Sequence, residues 1–125
     1  MPHKFKGERT LMRIFIGESD KYQGRPLYQA LLERLRAKGL AGATVLRGVI
    51  GFGAHSRLHT YKILRLSEDL PIVIEIVDAQ DKIDAFLPRI DEIVQEGMIT
   101  MESVRVIKYR AGNPRRPPAA GQAGS

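Results

Sequence analysis

The apolar residues of this chain switch period from two to about 3.6 and back, and then do so again. That double switch narrows the folds open to the chain more than any other feature. From Leu11 to Ile16, Met12, Ile14 and Ile16 share one face and Arg13 and Phe15 the other, as in a half-buried strand. Pro26 suits the first turn of a helix. Leu27, Leu31 and Leu35 then form a stripe with Tyr28 and Leu32, and Lys38-Gly39 is a stop signal. Ala43 to Ile50 reads as a second strand. Leu58 to Leu66 either continues it or forms a return arm. After a turn at Ser67-Glu68-Asp69, Pro71 opens the strand Ile72–Val77. Asp78 is placed to cap a second helix, on which Ile83, Phe86, Leu87, Ile90, Ile93 and Val94 share a face. Pro88 interrupts that helix and Gly97 ends it. Met98 to Tyr109 is the last strand.

The order strand–helix–strand–strand–helix–strand predicts an α+β fold, a ferredoxin-like βαββαβ sandwich. Its antiparallel sheet carries both helices on one face. The other face then needs cover, and Phe15 points there. Burial in an oligomer is the expected solution. The core domain is predicted over 11–110. Residues 1–10 read as a flexible N-terminal arm, and 111–125 as a disordered tail of Pro, Gly, Ala and Arg. With 125 residues the chain buries roughly two thirds of its unfolded surface and needs no staples. It has no Cys, which excludes disulfides and thiolate chemistry. No apolar run approaches the ~20 residues that span a bilayer, and no signal segment is evident. A cytoplasmic location is the expectation.

The net charge is +6, but it is unevenly placed. Between residues 41 and 67 there is no acid, only Arg47, Arg57, Lys62 and Arg65. Lys108 and Arg110 end the last strand, while residues 68–102 are strongly acidic. A local anion site, or complementary faces between subunits, fits this better than a broad nucleic-acid surface. Within the basic stretch an apolar strand dissolves into Gly48, Gly51, Phe52 and Gly53. Such glycines either permit a bulge and a tight turn or present backbone N–H groups to an anion. Arg47 and Arg57 are ligand anchors, or are solvated, or pair with the acidic helix of a neighbouring subunit.

His55 and His59 have a spacing used by metal sites, but no third ligand lies near in sequence, and no metal is expected. No serine stands in a nucleophile elbow and no carboxylate pair stands out. The chain reads as a binding protein, not an enzyme. Glu75, inside an apolar strand, reads as the outward side of an interface. An RNA-recognition domain has the same element order, and Ile14-Phe15-Ile16-Gly17 echoes its first-strand signature. It stacks bases on rings of both central strands, however, and Ile72–Val77 has none. A ligand-free assembly domain is the remaining alternative.

The run Ala41-Gly42-Ala43-Thr44-Val45, followed by Gly51-Phe52-Gly53, resembles the PII-like superfamily of trimeric signalling proteins, as does the ending Val104 to Gly112. Four segments are more specific: Gly17 to Tyr22, Ala43 to Gly48, Leu64 to Pro71 and Val73 to Asp78. They resemble the domain-of-unknown-function 190 family of that superfamily. The resemblance covers about residues 11–110. It implies a trimer that senses a small anionic ligand, such as an adenine nucleotide, in clefts between subunits. A mobile loop, here about Gly51 to Tyr61, would regulate a partner such as a membrane transporter or an enzyme. By position it assigns ligand binding to Thr44, Gly51, Phe52, Gly53, Lys108 and Arg110, with Arg57 reaching in from the loop. The chain departs from PII in lacking the glutamine after Gly-Phe-Gly. It also has Glu96-Gly97-Met98-Ile99 where PII has a phosphate loop.

Overall fold

The computed structural model describes residues 7–49 and 69–110. Strand β1 runs from Gly7 to Gly17, and a small hairpin follows, β2 at Lys21–Tyr22 and β3 at Arg25–Pro26. Helix α1 spans Leu27–Ala37, β4 Thr44–Arg47, β5 Pro71–Asp78, α2 Gln80–Ile93 and β6 Met98–Val106. The main sheet has the order β4-β5-β1-β6, and every neighbouring pair is antiparallel. This is the ferredoxin-like arrangement expected from the element order.

The core follows the sequence periods. Met12, Ile14 and Ile16 of β1 and Ile72, Ile74 and Ile76 of β5 face the helices. There they meet Leu27, Leu31 and Leu35 of α1 and Ile83, Phe86, Ile90 and Ile93 of α2. Helix α1 stops in a Schellman arrangement. Leu40 N–H donates to the Leu35 carbonyl at 3.3 Å and Gly39 N–H to the Arg36 carbonyl at 3.1 Å. Gly39 takes φ +78°, which suits glycine, and Leu40 packs back on the core.

Three local readings change. Strand β1 starts at Gly7, so residues 7–10 are strand and not a loose arm. Gly7 pairs with Val106 and Arg9 with Val104, and those long-range bonds hold a stretch with no apolar period of its own. The polar connection after β1 contains a two-residue turn, Gln23-Gly24, with φ of 51° and 79°, which closes the β2–β3 hairpin. Asp78 does not cap α2 by a side-chain bond, since the N-cap residue is Ala79. Instead its carboxylate accepts from Ala41 N–H at 2.8 Å and Ala79 N–H at 2.7 Å, and so ties the start of the β4 segment to the end of β5.

The sheet face away from the helices carries two contrasting rows. Leu46, Val73, Phe15 and Met98 lie side by side across the four strands. Leu46 and Met98 are 47% and 53% exposed, a large apolar area for one chain to leave in water. Beside this row run Thr44, Glu75, Arg13 and Thr100. The Arg13 guanidinium bridges Glu75 and Glu102, each at 2.9 Å. Those two carboxylates, Glu75 first, hold it above its ordinary pKa. Glu75 is therefore the outward acid of an apolar strand, as its place in the sequence suggested.

Candidate functional site

Strand β4 runs parallel to β1, because both oppose β5. Its last residue, Arg47, is level with Ile72 and Ile16. Residues 50–68 therefore leave and rejoin the sheet at the end where β1 finishes and β5 begins.

That end is tightly tied. Gly48 N–H donates to the Pro71 carbonyl at 2.7 Å and Glu18 N–H to the Leu70 carbonyl at 2.8 Å. Ser19 N–H donates to the Asp69 carboxylate at 3.0 Å, and Gly17 N–H to Asp20 at 2.9 Å. The strands approach closely here. A Cβ on Gly17 would lie 2.5 Å from Asp69 Oδ1, and one on Gly48 would lie 2.5 Å from Pro71 Cγ. Arg47 forms an ion pair with Glu18 at 2.6 Å. Its partner here is in its own chain.

The other end of the sheet holds the second basic group. Lys108 and Arg110 follow β6 and are exposed. Between them, the Tyr109 hydroxyl donates to the Ala41 carbonyl at 3.4 Å, which places this terminus beside the start of the β4 segment. Thr44 follows three residues later, exposed on the open face and opposite Glu75. Thr44, Lys108 and Arg110 therefore gather toward one end, whereas the segment containing Gly51, Phe52, Gly53 and Arg57 departs from the other. Those four residues, His55, His59 and the segment expected to be mobile lie outside the described residues.

Glu18 and Asp69 are the residues that sequence reasoning missed. They stood in runs that read only as polar turns. Asp69 adopts φ +30°, unusual for a residue with a side chain, while its carboxylate holds Ser19. A Gly17→Ala chain should lose about 0.5–1.5 kcal/mol, since the new methyl group displaces that carboxylate from the exposed Ser19 N–H. Denaturant unfolding measures this, and an unchanged midpoint would show that the contact yields without cost.

Among the described residues no cluster of His, Asp and Glu is arranged to hold a metal, and no helix is long and apolar enough to cross a membrane. A shallow groove of about 390 Å³ lies between Glu8, Thr10 and Ser103, beside Gln80 and Glu102. It contains none of the expected ligand residues.

Comparison with known proteins places this geometry. The family model DUF190, described as "Uncharacterized ACR", matches residues 9–106. A UPF0166 protein of Aquifex aeolicus is 41% identical over 100 residues, which cover 80% of this chain and 94% of that one. A UPF0166 protein of Methanocaldococcus jannaschii is 33% identical over 99 residues, 78% of this chain and 91% of the relative. Among solved structures, CPII of Thiomonas intermedia K12 bound to ADP, AMP and acetate superposes with a TM-score of 0.52 at 14% identity. The match covers 82% of this chain and 91% of that one. That likeness speaks for the fold. Together with the sheet order, the family match over nearly all the described residues leads to one assignment: the chain belongs to the DUF190 family and has a PII-like fold.

Proposed function

We propose that the protein is a non-catalytic, trimeric regulator of PII type. It binds a small anionic ligand between subunits and signals to a partner protein through residues 50–68. The observation that carries this reading is the separation of the basic groups. Lys108 and Arg110 are exposed at one end of the sheet, beside Ala41 where the acid-free stretch begins, and that stretch runs along β4 and leaves the sheet after Arg47 at the other end. A site that uses both is assembled from two copies. The open face, with its apolar row Leu46–Val73–Phe15–Met98, supplies the surface on which copies meet. Family membership and the PII-like fold agree with this. CPII, bound to ADP, AMP and acetate, suggests adenine nucleotides and small carboxylates as the first ligands to try.

Calorimetric titration with ADP, AMP, acetate and bicarbonate tests the proposal. Arg110→Ala and Arg57→Ala should each weaken binding by about tenfold or more, as expected when a charge-assisted hydrogen bond to an anion is lost. The trimer should persist. If a ligand binds and neither substitution changes its affinity, the site lies elsewhere. Steady turnover of a bound nucleotide would replace the sensor reading with an enzymatic one.

RNA recognition fits less well. Among the described residues Phe15 is the only ring on the open face. Arg9, Leu11, Arg13, Val73, Glu75 and Val77 stand beside it on the two central strands. Base stacking needs more than one such platform.

A further inference from the structure

Glu18 grips both stems of the 50–68 segment. Its backbone N–H holds Leu70 on the returning stem at 2.8 Å, and its carboxylate holds Arg47 on the outgoing stem at 2.6 Å. Arg47 lies on β4 and Glu18 immediately follows β1, and these two strands are not neighbours because β5 lies between them. The ion pair therefore spans two strand spacings, about 10 Å of backbone separation, and crosses the start of β5. The Arg47 side chain remains 56% exposed, so part of its donor fork still faces solvent. A carboxylate already sits on that fork, and planar oxyanions are the groups that arginine donors match best.

We propose, resting on the ligand-sensing reading above, that Glu18 is a built-in stand-in for the ligand's anion. A small oxyanion, whether carboxylate, bicarbonate or phosphate, displaces the Glu18 carboxylate from Arg47. The two stems then lose their shared clamp, and the sheet end is left to the backbone bonds of Gly48 and Glu18, which open more readily without it. Binding and stem position are coupled because one guanidinium cannot serve both carboxylate and ligand with the same donors. Arg47 is the receiving residue, and Glu18 acts through it.

The test is a double-mutant cycle on the full chain with Glu18→Gln, Arg47→Gln and the pair together. ADP, sodium acetate, sodium bicarbonate and sodium phosphate are the probes. Affinity is read by calorimetry, and the Arg47 Nε–H signal by NMR. Glu18→Gln should bind at least one probe about fivefold more tightly, with the Arg47 signal moving on titration, the scale expected for releasing a partly exposed ion pair. That gain should vanish in the Arg47→Gln background. Amide exchange at Gly48 should quicken alike in both single variants without any ligand. A gain that survives in the Arg47→Gln background reveals a general charge effect and overturns the proposal. So does Gly48 exchange that neither substitution changes. If a probe binds while the Arg47 signal stays still, this inference falls and the sensing reading stands. If no probe binds any of the four proteins, both fall.

Discussion

A Gly97→Ala chain is expected to lose about 2–3 kcal/mol of stability, the combined effect of a backbone region reserved for glycine and a steric clash. Gly97 joins α2 to β6 with φ +154°, and a Cβ there would stand 2.6 Å from the Phe15 carbonyl oxygen. The obstacle is backbone in the middle of the sheet, where β1 already pairs with β6 at Phe15 and Met98. It cannot swing aside as a side chain does. Denaturant unfolding should show a lower midpoint with an unchanged slope, because the surface exposed on unfolding is the same. A midpoint equal to that of the parent would mean that the turn has a second, unstrained path.

Phe15→Glu should leave the chain folded and take the proposed trimer apart. Phe15 points away from the core, and its neighbours Ile14 and Ile16 supply the buried contacts. A carboxylate at this position costs a lone chain little. Between copies it would be an unpaired charge in an apolar row, at a cost of several kcal/mol per subunit. Light scattering should give the 14.0 kDa of one chain in place of three times that mass, with far-UV circular dichroism unchanged. A Phe15→Glu protein that remains trimeric would move the subunit interface off the open face.

The parts of this molecule that were legible in its sequence are those set by local period. The stripe Leu27–Leu31–Leu35 and the strand Ile72–Val77 announced a helix and a buried strand, and both are core. The Lys38-Gly39 stop was equally plain, because only a few residues satisfy the geometry there. What stayed hidden depends on distant pairing. Gly7 to Thr10 have no strand pattern and owe their conformation to partners from Ser103 to Val106, nearly the whole chain away. The candidate site was legible as composition, an acid-free basic stretch and a basic final strand. Its wiring was not. Arg47 lies on β4 and Glu18 just past the end of β1, two strands that are not neighbours, and no local signal joins them. Asp78 looked like a cap because it precedes a helix, yet it binds Ala41, a partner visible only once β4 and β5 are set side by side.

The unequal strength of the two strands that root residues 50–68 has a mechanical consequence. Among the described residues, strand β4 is four residues long, lies at the sheet edge and has a single partner, whereas β5 is eight residues long and is flanked on both sides. A load applied at these two roots is shared by a compliant one and a stiff one. The edge strand peels first and the central strand stays anchored. The hinge of any swing therefore lies at Thr44–Arg47, so the motion drags Thr44 and Arg47 with it and leaves the sheet core undisturbed.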